Sequence, residues 1–470
     1  MSSLLHFPPL DAAYSAFHGF FLSQQPEGNT LANLNWNTDV KKSIDKFRNH
    51  DWTVAEMMHY GFLSSVIFFV FVIFPASFLI KIPILAAFVM CFLIPATLQF
   101  FVHALPVFSW LALFFSASKI PHSWKPAISV KFLPAMETIL YGDNLSNVLA
   151  ATNNSFLDVL AWLPYGLIHF ASPFVVAFLI FLFAPPTSLR SFGFAFGYMN
   201  LTGVLTQLLF PAAAPWYLNL HGLEPANYAM SGSPGGLGRI DKLLGVDMYT
   251  STFENSPLVF GAFPSLHSGC AVMDVLFLCW LFPKYRLVWW GYACLLWWST
   301  MYLTHHYFID LIFGAALSVT FFAYVKYTQL PVIDQKKFCR WSYSDIHHLD
   351  VQANDPLNSF TPLGDEEYEL EYFGSSRNSN NDGLSVQASA SSLMMTPELS
   401  PSRPELIFDE GNPGSYDGIE TDHSTATSVF DGVDDIPHSS LPASEISLIE
   451  AATVPLGSST LSSTIYSKDR

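Results

Sequence analysis

Residues 61–80 read GFLSSVIFFVFVIFPASFLI, twenty residues without a charged side chain. A helix of about 20 residues, rising 1.5 Å per residue, crosses the roughly 30 Å hydrocarbon core of a bilayer. The whole chain has the same character, since 51% of its 470 residues are apolar and only 13% are charged, against roughly 25% charged in soluble proteins. The sequence therefore predicts a membrane protein.

Further apolar runs of span length follow this one. They cover residues 83–101, 165–184, 191–212, 267–282, 287–303 and 307–328. A shorter run, 104–117, fits either a span or a re-entrant or interfacial segment. If it spans, the chain crosses the bilayer eight times. We therefore predict an all-α fold, a polytopic membrane helix bundle of about eight spans.

Basic residues cluster at four places beside these runs. They are Lys41, Lys42, Lys46 and Arg48, then Arg190, then Lys284 and Arg286, and finally Lys326, Lys336, Lys337 and Arg340. Basic residues in short flanking loops mark the cytosolic side of a membrane protein. With eight spans all four clusters share that side, which predicts that both termini are cytosolic.

The C-terminal part of the chain has a different composition. Residues 341–470 contain 22 acidic and 4 basic residues, a net charge of −18, whereas residues 1–340 contain 16 acidic and 17 basic ones. A polar, strongly acidic segment buries too little apolar surface to offset its loss of conformational entropy. We therefore predict a disordered tail from about residue 355. We also predict a cytosolic segment 1–60, N-terminal spans with a connecting loop at 61–154, a membrane core at 155–340 and a cytosolic tail at 341–470.

Residues 304–310, THHYFID, place ionisable side chains between two apolar runs, where function is the first hypothesis. His306 and Asp310 are four residues apart, so they share a helix face, and the carboxylate would raise the basicity of the imidazole. His267, in FPSLHSG, starts another span on the same membrane face and could donate or accept a proton. Helix N-termini pointing at the space between them favour an anion such as phosphate.

Other interpretations of these histidines were weighed. His305 and His306 are adjacent and point to different helix faces, which disfavours a three-histidine metal site, so we expect neither a metal nor a cofactor. Five cysteines are too few for a disulfide framework, and most of them lie inside apolar runs. The remaining histidines near span ends are expected to be interfacial hydrogen-bonding groups, and these are His59, His103, His122, His169 and His221.

Two motifs resemble those of a known superfamily. FGAFPSLHSG (260–269) and YLTHHYFIDLIFG (302–314) resemble the second and third motifs of the type-2 phosphatidic acid phosphatases. Together with residues 200–222 and 238–253, they resemble more narrowly the fungal inositol phosphorylceramide synthases, over about residues 155–330. The resemblance implies a six-helix core and a catalytic triad of His267, His306 and Asp310.

The resemblance also implies an activity and a setting. The family transfers phosphoinositol from phosphatidylinositol to the primary hydroxyl of a ceramide through a phosphohistidine, and releases diacylglycerol. It implies a Golgi membrane with a lumenal site, a small regulatory membrane subunit and inhibition by aureobasidin A; no nucleic acid is expected as a partner. A lipid phosphate phosphatase and a non-catalytic lipid transporter or scramblase remain as alternatives.

The sequence departs from the phosphatase pattern in its cations. The segment QLLFPAAAPW (207–216) has neither the Lys nor the Arg of the first phosphatase motif, and Ser299 and Thr300 stand near the place of a further Arg. A phosphodiester carries one negative charge where a monoester carries up to two, so it needs fewer cations. The deficit favours a diester substrate. Substrate contacts are predicted for Arg239, Lys242, Ser265, Ser268, His305 and Tyr307.

Overall fold

The computed structural model describes residues 8–26, 31–334 and 336–343. The tail that we predicted to be disordered lies outside these residues. Within them the chain is helical, and no strand forms beyond isolated bridges that join Ala212 to Ser129 and to Gly261. The prediction of an all-α fold is confirmed.

The helices of this part of the chain are numbered in order. They are α1 (Pro8–Phe20), α2 (Val40–Asn49), α3 (Val54–Ile73), α4 (Phe78–Leu93), α5 (Pro95–Phe101), α6 (Leu105–Ser116), α7 (Phe132–Tyr141), α8 (Leu145–Ala150), α9 (Ser155–Trp162), α10 (His169–Phe183), α11 (Ser188–Leu209), α12 (Pro215–His221), α13 (Leu237–Leu244), α14 (Tyr249–Glu254), α15 (Leu266–Leu281), α16 (Arg286–Tyr302) and α17 (Phe308–Thr328). A π-helical turn, Leu163–Ile168, joins α9 to α10.

The first two predicted spans are divided differently in the structure. The run 61–80 is not one helix, because α3 ends at Ile73 and α4 begins at Phe78. The run 83–101 is broken between α4 and α5, which meet at an angle of 99°. Phe74 and Ile94 each precede a proline and are extended at the breaks. Proline disfavours the helical conformation in the residue before it, which explains both corrections.

The five later runs coincide with α10, α11, α15, α16 and α17 to within four residues at either end, and the π turn leads into α10. By length and apolar composition alone, three helical segments of the described chain can cross a membrane: 54–73, 155–183 and 308–328. The bent pair α4 and α5 makes a fourth if it is counted as one span. The short run 104–117 forms α6, whose 12 residues are about 18 Å long.

The centre of the bundle is a core shared by α10, α11, α15 and α17. It contains buried side chains such as Ile180, Phe196, Met273 and Phe322. On its other side α11 packs against α6 and α3 through a second buried cluster. Helix α11 therefore lies in the middle of the bundle, and α16 covers the outer side of α15.

One end of the bundle gathers segments that are distant in sequence, and we call it the arginine end. The guanidinium of Arg340 donates to the carbonyl oxygens of Ala32 at 3.0 Å and Pro186 at 3.4 Å. Arg190 lies in the first turn of α11 at this same end. The segments that carry the second and fourth predicted basic clusters thus adjoin each other, and Ala32, nine residues before the first cluster, lies beside them.

Helix α6 connects the two ends of the bundle. It runs alongside α11 in the same direction, since Gly193 adjoins His103 and Gly197 adjoins Pro106. Beyond α6 the chain reaches Ser129, whose carbonyl accepts the N–H of Ala213 past the far end of α11. The short α6 therefore carries the chain from the arginine end to the opposite end.

Candidate active site

The segment between α16 and α17 holds a backbone conformation that is rare for its residue type. Thr304 has a φ of +63°, in the left-handed region that β-branched residues avoid. Two backbone hydrogen bonds hold this conformation. The carbonyl of Leu303 accepts the N–H of Gly236, and the carbonyl of Thr304 accepts the N–H of Trp216, each at 2.9 Å. Strained backbone held in this way is frequent at functional sites, and here it orients the two residues that follow.

His267, His306 and Asp310 form a continuous row. Nδ1 of His306 lies 3.2 Å from Oδ1 of Asp310, which is an ion-pair distance although the angle between the groups falls outside hydrogen-bond geometry. Nε2 of His306 lies 3.0 Å from Nδ1 of His267. His306 is 5% exposed and Asp310 is fully buried. The tautomer that carries its proton on Nδ1, towards the carboxylate, would leave a lone pair on Nε2 of His306.

The two motifs are tied directly to each other through α15 and α17. The N–H of Ser265 donates to the backbone carbonyl of Asp310 at 3.0 Å, and the hydroxyl of Ser268 donates to the carbonyl of Leu311 at 2.6 Å. The hydroxyl of Ser265 caps α15 by accepting the N–H of Ser268. The predicted substrate contacts Ser265 and Ser268 are buried and engaged in holding the helices in register.

Gly314 allows the close approach of these two helices. A Cβ at this position would collide with the carbonyl oxygen of Ser265 and would lie 3.2 Å from the amide nitrogen of Gly269. Glycine is therefore required on α17 where α15 begins. The position of His267 relative to His306 depends on this contact.

A further carboxylate stands at the start of α17. Glu137, on α7, is fully buried, and its side chain accepts the N–H of Ile309 at 2.8 Å and that of Leu145 at 3.4 Å. Burial raises the pKa of Glu137 against the opposing effect of these amide donors. The first amides of a helix lack partners within it, so Glu137 supplies one for α17. Sequence reasoning missed this residue, which lies 172 positions from Ile309.

Three other predicted substrate contacts are not among the residues that line the cavity at the histidines. Arg239 forms a two-pronged ion pair with Asp158, with a shortest N–O distance of 2.7 Å, and Asp158 also accepts the hydroxyl of Tyr302. Lys242 is exposed on α13. Tyr307 is 1% exposed, and its backbone N–H donates to Oδ2 of Asp310.

The sixth predicted contact, His305, is separated from His267 by the ring of Tyr165, and one missed histidine adjoins His267 directly. Nε2 of His305 lies 3.0 Å from the carbonyl oxygen of Pro234. Burial lowers the pKa of His305 to about 3, so its ring is neutral at neutral pH. His169, which we expected to be interfacial, has its ring centroid 4.7 Å from that of His267. It lies 98 residues earlier in the chain, and nothing in its local sequence indicates the contact.

A cavity of about 1220 Å³ opens at these histidines. His267, His305 and His306 line one end, and Arg190 and Arg340 line the other. Along α11 the lining extends from Gln207 to Thr187, a length of about 30 Å. Between the ends the lining is mostly apolar, and it includes the exposed rings of Phe115, Phe170 and Phe174. The size and the mostly apolar lining of this cavity suit an elongated apolar ligand.

Within the described ranges, no group of three or more His, Cys, Asp or Glu side chains has a geometry that could hold a metal ion. The histidines instead meet as tilted or hydrogen-bonded rings.

Comparison with known proteins agrees with this geometry. Residues 131–324 match the family model of the PAP2 superfamily. The chain is 64% identical to the inositol phosphorylceramide synthase of Candida albicans over 369 residues, which are 78% of each chain. It belongs to the inositol phosphorylceramide synthase family. No solved structure gives a significant match.

Two other members of the inositol phosphorylceramide synthase family are also similar. The catalytic subunit of Saccharomyces cerevisiae is 54% identical over 73% of this chain and 85% of its own. That of Schizosaccharomyces pombe is 45% identical over 67% of this chain and 75% of its own. The matched superfamily region contains His267, His306 and Asp310, and it also contains Glu137, Tyr165 and His169.

The cavity explains how this family site departs from the phosphatase pattern. Arg190 and Arg340 are the cations among the described residues that line it, and both lie at the arginine end, away from His306. The hydroxyls of Ser299 and Thr300 donate to carbonyls of their own helix. A site without a fixed cation beside His306 suits a singly charged phosphodiester better than a monoester.

Proposed function

We propose that this protein is an inositol phosphorylceramide synthase, which transfers phosphoinositol from phosphatidylinositol to the primary hydroxyl of a ceramide and releases diacylglycerol. The observation that carries the proposal is the row Asp310, His306, His267 at the end of a lipid-sized cavity. The names of the three similar family members support the same activity.

The first half-reaction uses His306 as the nucleophile. Phosphatidylinositol enters with its phosphate between the two rings and replaces the 3.0 Å contact of His306 with His267. Nε2 of His306 attacks phosphorus, the bond to the diacylglycerol oxygen breaks, and His267 gives its proton to that oxygen. Asp310 stabilises the positive charge that develops on His306. The product is phosphoinositol bound to His306, with neutral His267.

The second half-reaction reverses the proton transfer. His267 accepts the proton of the ceramide primary hydroxyl, whose oxygen forms a bond to phosphorus while the bond from Nε2 of His306 breaks. The acyl chains of both lipids occupy the apolar part of the cavity, which includes the exposed rings of Phe115, Phe170 and Phe174. Neither half-reaction calls for a metal.

The proposed setting is a Golgi membrane with the site on the lumenal face and the arginine end in the cytosol. The grouping of basic segments at the arginine end supports this orientation. Two of the relatives are named as catalytic subunits, which supports a second, regulatory membrane subunit. Binding of an aureobasidin A-type inhibitor stays a prediction from the family resemblance.

The test is a transfer assay with purified protein, labelled ceramide and phosphatidylinositol, without added metal. We expect a new anionic sphingolipid, and we expect His306→Ala to abolish it and to abolish labelling of the protein by phosphoinositol. His221→Ala, a change at an exposed histidine of α12, is the matched control and should keep full activity. Transfer by folded His306→Ala above a few per cent of wild type would exclude His306 as the nucleophile.

The same assay separates the alternatives. A phosphatase would release the phosphate group to water without forming a ceramide product. A scramblase would move labelled lipid between leaflets, and that movement would survive His306→Ala. Either result in place of ceramide transfer would contradict the proposed function.

A further inference from the structure

Five aromatic rings form a continuous column beside the candidate active site. In order they are Phe253, His305, Tyr165, His267 and His169, with neighbouring centroids 4.6, 5.3, 4.7 and 4.7 Å apart. The first three contacts are stacked, with interplanar angles of 25°, 10° and 25°, and the last is tilted by 37°. All five residues line the cavity. The column thus connects His267 with parts of the chain that the triad does not include.

Tyr165 is the central ring of this column, between His305 and His267. It is 2% exposed and lies in the π-helical turn Leu163–Ile168. A π turn inside a helical segment inserts an extra residue per turn and is frequent at functional sites. Here it interrupts the segment from α9 to α10 where the phenol ring stacks on His267.

His267 differs from His306, whose Nδ1 lies beside the carboxylate of Asp310. Its hydrogen-bonding contact is Nδ1 with Nε2 of His306, and within the described residues no carboxylate bonds to it. The titratable groups around it are His306, His169 and His305, and Asp310 acts on it only through His306. In the proposed reaction, however, His267 starts protonated, gives its proton to the diacylglycerol oxygen and regains one from the ceramide hydroxyl. Before substrate binds, the protonated ring needs stabilisation that no anionic side chain of the described residues supplies directly.

The face of a phenol ring provides such stabilisation. Aromatic faces carry negative charge density and attract a cation that lies over them, and in a desolvated site the attraction is stronger. Stacking at 4.7 Å and 25° also fixes the plane of the imidazole. We propose that Tyr165 is a positioning residue for His267, whose ring orients the imidazole and stabilises its protonated form. This inference rests on the proposed function, in which His267 is the acid and base.

The experiment separates the ring of Tyr165 from its hydroxyl. Tyr165→Phe keeps the ring, and Tyr165→Leu removes it. We expect Tyr165→Phe to retain activity within about threefold of wild type, and Tyr165→Leu to lose roughly tenfold or more of kcat. In Tyr165→Leu the alkaline limb of the pH profile of kcat/KM for phosphatidylinositol should move to lower pH by about 0.5–1 unit, because the protonated ring is less stabilised.

Controls distinguish this role from a structural one. Tyr327→Leu makes the same change at a ring that is 83% exposed on α17, and it should leave both kcat and the pH profile unchanged. If Tyr165→Leu does not insert as a folded protein, Tyr165→Met fills more of the volume while still lacking a π face, and it should show the same shift.

Several outcomes would overturn the inference. A pH profile unchanged in folded Tyr165→Leu or Tyr165→Met means that the ring does not act on His267. A large loss of activity in Tyr165→Phe means that the hydroxyl, and not the ring, is what matters. Absence of ceramide transfer in the wild type, in contrast, would count against the proposed function and is measured in the same assay.

Discussion

At the scale of single residues, the site depends on how two histidines are made different. His306 has a carboxylate 3.2 Å from Nδ1, whereas in the described part of the chain His267 packs against the rings of His306, Tyr165 and His169. A carboxylate partner raises the basicity of the opposite ring nitrogen and stabilises an imidazolium, which suits a nucleophile. A ring without a carboxylate partner exchanges its proton more readily, which suits an acid and base. In the proposed mechanism, this difference favours His306, and not His267, as the residue that receives the phosphoinositol group.

Asp310→Asn tests this difference. The amide cannot stabilise a positively charged His306, and a loss of the same kind reaches about 10⁴-fold in the serine hydrolases. We expect a fall in kcat approaching that size with little change in the amount of folded protein. The measurement is ceramide transfer by purified variants, with Asp247→Asn in the exposed loop after α13 as the control. Near-wild-type rates in Asp310→Asn would contradict the proposed pairing.

At the scale of elements, the site is set by how α15 and α17 begin and cross. Both helices start next to His267 and His306, and their ends are held by a serine cap, by Glu137 and by the bond from Ser265 to Asp310. Because each histidine lies at a helix start, a small shift of one helix along the other changes the distance between the two rings.

Gly314→Ala tests the crossing. The added methyl group would meet the carbonyl oxygen of Ser265, and overpacking of this kind destabilises by about 1–3 kcal/mol. We expect a lower unfolding temperature and a fall in kcat, since α15 must move away and take His267 with it. Gly291→Ala on α16 is the matched control, because nothing lies within 4 Å of its Cβ position. Equal behaviour of the two variants would show that the crossing of α15 and α17 tolerates a methyl group at position 314.

Glu137→Ala and Glu137→Gln test the capping of α17. Removing the side chain leaves the buried N–H groups of Ile309 and Leu145 without their acceptor, and one unsatisfied buried donor costs about 1–3 kcal/mol. Glutamine keeps an oxygen for Ile309, so we expect Glu137→Ala to lose stability and activity and Glu137→Gln to retain most of both. Thermal unfolding and transfer assays measure this. If both variants match wild type, the start of α17 is fixed without Glu137.

At the scale of the whole molecule, one cavity joins the two ends of the bundle. The histidines line one end, and Arg190 and Arg340 line the other. The turn after α15 belongs to the arginine end, because Phe282 contacts Phe183 at 5.7 Å between centroids, and Phe183 contacts Phe338. All four predicted basic clusters can thus face one side of the membrane while the histidines face the other.

Labelling of single cysteines tests this orientation. In sealed vesicles with the cytosolic side outward, a membrane-impermeant thiol reagent should modify Tyr285→Cys at once, since Tyr285 is 52% exposed beside the arginine end. It should modify His221→Cys and Asp247→Cys, both exposed at the histidine end, only after permeabilisation. The parent protein with its own five cysteines gives the background. The reverse pattern would invert the proposed topology but would leave the triad assignment open.

The sequence by itself determined the local features of this protein. Apolar runs long enough to span a bilayer predicted the later helices, because helix formation and membrane insertion depend on contiguous residues. The spacing of His306 and Asp310 predicted their pairing, because residues four apart approach each other in a helical turn. His306 itself lies two residues before the start of α17. Family motifs predicted His267 as their partner. The breaks at Phe74 and Ile94 were also local, but length alone did not reveal them.

Only the tertiary structure decided which distant residues share the site. Glu137, Tyr165 and His169 reach α17 and His267 from α7, the π turn and α10, and the partner of Arg239 proved to be Asp158, 81 residues away. Such contacts depend on how helices pack, and packing depends on the shapes of whole surfaces and not on any sequence interval. A periodic pattern records which face of a helix is apolar, but it does not record which helix covers that face.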